Sequence, residues 1–146
     1  MRIAVPKEIK NHEYRVGLTP SSIRELVLRG HEVLVETQAG AGIGASDALY
    51  KLAGAKVVDS GQACFEAGEM IVKVKEPQPN EREWLREDQL LFTYLHLAAD
   101  PEQTADLVRS KAVCVAYETV TSPYGGLPLL APMSEVAGRL AVQAGA

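Results

Sequence analysis

No apolar run in these 146 residues approaches the roughly 20 that a membrane-spanning helix needs. The opening Met1-Arg-Ile-Ala-Val-Pro6 enters a strand pattern at once, without the long apolar region of a secretory signal. Cysteine is scarce. Cys64 and Cys114 lie far apart and show no metal-binding spacing, so two reduced, buried thiols in a cytoplasmic protein are expected, and no metal. An excess of positive charge is also lacking. The net charge of -4 argues against a nucleic-acid surface. Internal repeats and low-complexity stretches are missing too. What is present is a hydrophobic fraction of 47%, enough for one domain with a real core.

Along the chain, short apolar runs alternate with helical patterns. Strands are expected at Arg2–Val5, Glu32–Glu36, Lys56–Asp59, Met70–Val74, Gln89–Tyr94 and Ala112–Ala116. Thr19-Pro20 starts a helix well, since threonine caps and proline suits the first helical position. Ser46, Ser60 and Asp100-Pro101 open further helices. Asn80 followed by Glu83 reads as a capping box for a helix through Arg86. In the helix after Asp100, Leu107 and Val108 read as facing inward. A last helix starts near Met133 or Ser134 and sets Val136, Ala137, Leu140, Ala141 and Ala144 on one face. Six-fold alternation of strand and helix predicts an α/β fold, a Rossmann-like, doubly wound, mostly parallel sheet.

In such a sheet all carboxyl ends share one edge, where ligands bind. Three polar residues leave strands toward that edge: Arg15 after the first, Lys75 after the fourth and His96 after the fifth. Arginine offers a planar fork for a carboxylate. Lysine adds a compact charge, and histidine trades a proton near neutral pH. Together they suit a small anionic oxo or amino acid undergoing proton transfer. Taken singly, each also reads blandly: Arg15 as a solvated loop arginine, Lys75 as a surface lysine, His96 as a packing histidine. His12 and His31 read as surface residues. Gly40-x-Gly42-x-x-Ala45, with Asp59 about 20 residues on, loosely matches a dinucleotide fingerprint. Gly44 at a normally variable position and the long run Thr37–Ala45 favour a plain flexible loop instead.

Several segments, in order, carry a resemblance. They are Pro6-Lys-Glu8, Glu13-Tyr-Arg-Val-Gly-Leu-Thr-Pro20, Gly40-Ala-Gly42, Val72-Lys-Val-Lys-Glu-Pro77, Tyr94-Leu-His-Leu-Ala98, Tyr117-Glu-Thr119 and Pro132-Met-Ser-Glu-Val-Ala-Gly138. The chain resembles the N-terminal part of bacterial alanine dehydrogenase, in the wider family shared with nicotinamide nucleotide transhydrogenase. The resemblance implies a truncated substrate domain over residues 1–131 and a connecting helix over 132–146 leading to an NAD-binding domain. It implies NAD-dependent conversion of L-alanine to pyruvate and ammonium, in a homo-oligomer that is hexameric at full length. By position, Arg15 and Lys75 would hold the substrate carboxylate and oxo oxygen. His96 would be the catalytic acid/base, and Met133 and Ser134 would touch the nucleotide. The chain alone is expected to be inactive. The alternatives are the transhydrogenase branch, where the resemblance implies no histidine at the place of His96, and a non-catalytic interaction module.

Overall fold

The computed structural model describes residues 1–146. Six strands form one wholly parallel sheet: β1 (Arg2–Val5), β2 (Glu32–Glu36), β3 (Lys56–Val58), β4 (Met70–Val72), β5 (Leu90–Thr93) and β6 (Val113–Ala116). Their spatial order is β3-β2-β1-β4-β5-β6, so the winding direction reverses between β1 and β4. That reversal opens a crevice at the carboxyl edge of the two strands. Six helices accompany them: α1 (Pro20–Leu28), α2 (Asp47–Leu52), α3 (Gly61–Ala67), α4 (Pro79–Arg82), α5 (Pro101–Ser110) and α6 (Ala131–Gly145). None is long and apolar enough to cross a membrane.

Strand side chains alternate between faces, and this divides the core in two. On one face Val5, Val33 and Val35 meet Ile23 of α1 and Tyr50 of α2. On the other, Ala4, Leu34, Ile71 and Leu91 meet Cys64 and Phe65 of α3 and Leu107 of α5. The covering is unequal. Phe92, Val113 and Val115 share the α1/α2 side of the sheet beyond the reach of those helices, and Val113 and Val115 are exposed.

Local chemistry sets the helix ends. The Thr19 hydroxyl accepts the Ser22 N–H, and the Asp100 carboxylate accepts that of Gln103. Tyr50 is fully buried, and its phenol donates to the Leu18 carbonyl at 3.1 Å, tying α2 to the loop before α1. Tyr50→Phe should therefore cost about 0.5–1.5 kcal/mol in chemical denaturation. No measurable loss would show that this bond merely replaces one to water.

Several expectations need correction. β4 ends at Val72 rather than Val74, because the Val74 and Lys75 N–H groups donate to the Glu8 side chain in place of a strand, although the Val74 carbonyl still accepts the Tyr94 N–H. The α4 helix starts at Pro79. The Gln78 N–H donates to Glu81 at 2.7 Å, so the capping pair is Gln78/Glu81 and not Asn80/Glu83. Val108 is exposed; only Leu107 and Gln103 of α5 turn inward. Cys114 is half-buried, unlike Cys64. The last helix begins at Ala131, with Pro132 in its first turn, ahead of Met133.

Candidate functional site

The loop from β1 to α1 brings Arg15 to the carboxyl edge. Arg15 is 45% exposed and grips Glu13 with a two-pronged fork, Nε at 2.8 Å and Nη2 at 2.6 Å. These bonds hold the Glu13 carboxyl below the usual range and push the guanidinium further up. The remaining nitrogen, Nη1, lies 4.0 Å from the Met133 sulfur, a weak acceptor. One corner of the guanidinium thus has no carboxylate partner.

Beyond β4 the chain alternates in an unexpected sense. Lys73, not Lys75, is the buried lysine, only 1% exposed. Its ammonium lies 2.7 Å from Glu81 and 3.5 Å from Glu8, both also buried. Glu8 in turn accepts the N–H groups of Val74 at 2.7 Å and Lys75 at 3.4 Å. Burial pushes the Glu8 carboxyl up, against the pull of Lys73 and those N–H groups. Lys75 itself is half-buried, and its carbonyl accepts the Thr93 hydroxyl of β5 at 2.8 Å. Its positive charge is among those that favour ionised Glu13.

His96 follows β5 and is exposed. Its backbone is left-handed, φ 51° and ψ 40°, a conformation that costs an L-residue energy and needs support. Its ring stacks on Tyr94, centroids 6.3 Å apart. Tyr94 is buried, donates its phenol to the Leu129 carbonyl at 2.7 Å, and meets Tyr117 edge-on. Burial raises the Tyr94 phenol, with Arg15 opposing.

A mostly apolar cavity of about 500 Å³ opens here, lined among others by Arg15, Gly17, Val74, Tyr94, Tyr117 and Leu129. Of the three residues singled out in the sequence, Arg15 lines it and Lys75 and His96 do not. No hydrogen bond or ion pair joins any two of the three. Their linkage is indirect: Lys75 through Glu13 to Arg15, and His96 through the Tyr94 ring to the cavity wall.

The glycine loop is a packed corner rather than a flexible one. A Cβ on Gly40 would meet Tyr50 and the Ala45 carbonyl, and one on Gly42 would meet the Tyr14 backbone. Close packing against Tyr50 and Tyr14 therefore accounts for the glycines at 40 and 42. Met133 touches Arg15, while Ser134 is exposed and bonds only the Leu130 carbonyl at 3.5 Å.

Glu8, Glu13, Tyr94 and Glu118 were not singled out as site residues, although each lies in a segment quoted for the resemblance. One clue was available for the buried network. Lys73 sits between two valines at a strand exit, with Glu81 one short connection later.

Comparison with known proteins agrees with this architecture. A model of the family described as "Alanine dehydrogenase/PNT, N-terminal domain" matches residues 4–137. A protein of Halomonas elongata named alanine dehydrogenase is 61% identical over 146 residues, all of this chain and 39% of its own length. One of Mycobacterium tuberculosis with the same name is 51% identical over the same span. A solved L-alanine dehydrogenase superposes with a TM-score of 0.94 at 58% identity, covering 100% of this chain and 40% of that one. A transhydrogenase from Sinorhizobium meliloti is more distant, with a TM-score of 0.76 at 25% identity over 81% of this chain and 34% of its own. The chain spans about two-fifths of the length of the curated relatives it matches. With its switch-point crevice and a family model matching residues 4–137, the chain belongs to the alanine dehydrogenase/PNT N-terminal domain family.

Proposed function

We propose that this chain is the substrate domain of an NAD-dependent alanine dehydrogenase, an oxidoreductase that interconverts L-alanine with pyruvate and ammonium. The reading is supported above all by one observation. The loops carrying Arg15, Lys75 and His96 all leave the carboxyl edge at or beside the β1/β4 reversal, in a chain 61% identical throughout to a named alanine dehydrogenase. The greater distance of the transhydrogenase weighs against that branch.

In this reading the free corner of the Arg15 fork takes the substrate carboxylate, and the Lys75 ammonium takes the oxo oxygen. His96 gives and accepts the protons as nitrogen is exchanged for oxygen. Gly40 and Gly42 are taken up by packing against Tyr50 and Tyr14, so they are not assigned to a nucleotide. Met133, half-buried, and Ser134, exposed, would touch a nicotinamide nucleotide held mainly by a separate nucleotide domain, and the other residues named here account for substrate binding and proton handling.

Pyruvate should bind this chain weakly, as followed by calorimetric titration. Arg15→Ala and Lys75→Ala should each weaken it by about 1.5–3 kcal/mol, the worth of a charge-assisted bond. Unchanged affinity in both variants would remove the basis for this assignment.

A further inference from the structure

The segment Tyr117-Glu-Thr119 has no role in the reading above, yet its acid reaches across to the histidine loop. Glu118 Oε1 accepts the His96 N–H at 2.8 Å and the Leu95 N–H at 3.0 Å, and Oε2 lies 3.3 Å from the latter. These two N–H groups come immediately after the last ladder bond of β5, in which Tyr94 donates to the Val74 carbonyl. With no strand partner, they would face an incomplete shell of acceptors. From the other side the buried Gln103 amide donates to the Leu95 carbonyl at 2.6 Å. The Leu95–His96 link is thus gripped on both sides where the backbone turns left-handed.

We infer that Glu118 is a positioning residue for His96: its carboxylate, arriving from the turn after β6, holds the left-handed backbone on which the imidazole is mounted. The inference rests on the proposed function only for the importance of His96. Burial works against a charge at Glu118. The N–H groups of His96, Glu118 and Leu95, together with the His96 ring, more than offset it, and the carboxyl lies below its usual range. A capping acid with no further task would do as well beneath an ordinary turn. Here it supports a strained residue whose ring projects into solvent beside the Tyr94 wall.

The test uses the 146-residue chain, isotope-labelled, with Glu118→Ala and Glu118→Gln. In Glu118→Ala the Leu95 and His96 amides should exchange about tenfold faster or more, as two charge-assisted bonds vanish. Amides of β1 and β2 should keep their rates. The His96 ring resonances should move while those of His12 and His31 stay. Gln retains one oxygen able to accept both N–H groups, so Glu118→Gln should restore most of both signals. Unchanged His96 amide and ring signals in Glu118→Ala would overturn the inference, and so would equal acceleration of every strand amide. If Glu118→Ala does not fold, Glu118→Asp decides: one methylene shorter, its carboxylate withdraws from both N–H groups, so acceleration confined to Leu95 and His96 supports the inference, and none overturns it. These readouts need no substrate, so a failure of pyruvate to bind would count against the proposed function and leave this inference standing.

Discussion

Lys73→Met should unfold with about 3–5 kcal/mol less stability than the parent chain, the usual cost of removing one partner from a buried charge network. Methionine matches the length of the lysine stem, so packing changes little and the loss is electrostatic. Without the ammonium, Glu8 and Glu81 are left as two buried carboxylates with no cation between them. The sign of the pH effect follows. Burial already raises Glu8, and losing Lys73 removes the main influence that lowers it. Its folded-state affinity for a proton then exceeds the unfolded one by more than before. Stability linked to such a group is present when it is protonated and is lost as pH rises through its folded pKa. The deficit of Lys73→Met should therefore shrink between about pH 7 and about pH 5. Adding Glu8→Gln should recover part of it at neutral pH. Urea denaturation at the two pH values measures all of this. A neutral-pH loss below about 1 kcal/mol would mean the network behaves like an exposed ion pair.

Gly17→Ala should also destabilise the chain, somewhat less and by another route. A Cβ there would lie 2.5 Å from the Val72 carbonyl oxygen, 2.9 Å from its carbon and 3.2 Å from the Lys73 nitrogen. All three are backbone atoms, so no side chain can rotate away. The loop must lift off the end of β4, at about 1–3 kcal/mol for overpacking. Arg15 lies two residues away, so pyruvate affinity should fall by about tenfold, near 1.4 kcal/mol. Gly138→Ala on α6 is the control. Nothing lies within 4 Å of its added Cβ, and helix propensity alone should make it neutral or slightly stabilising. Equal stability of the Gly17 and Gly138 variants would contradict the close approach of loop and strand.

The alternation of strands and helices along the chain was accessible from the residues because each apolar run is short and bounded by capping or turn residues. Ile3–Val5 and Val33–Val35 are buried on both faces, and such runs read as parallel strands without any tertiary information. Less accessible was anything decided by a distant partner. Val74 looks like strand, but Glu8, from 66 positions earlier, takes its N–H. Lys73 and Lys75 are chemically identical in the sequence; only Glu81 and Glu8 separate the buried lysine from the half-exposed one. The glycines at 40 and 42 suggested a phosphate loop or a loose one. Their actual role depends on Tyr14 and Tyr50 closing in from other elements. In the site, residue types with obvious chemistry could be named in advance. The acids that hold them, Glu13 and Glu118, could not, because a carboxylate bonded to neighbouring N–H groups looks in sequence like any surface acid.

Helix α6 contains no buried residue, and its base is fastened at few points: the Tyr94 phenol on Leu129 just before it, and Arg15 against Met133 in its first turn. Fifteen residues make a rod of about 22 Å. With so short a footing, a tilt of about 10° at the base sweeps the far tip by roughly 4 Å. The Arg15 corner that lies against Met133 is also the one proposed for the substrate carboxylate, so an anion bound there would sit at the foot of this rod.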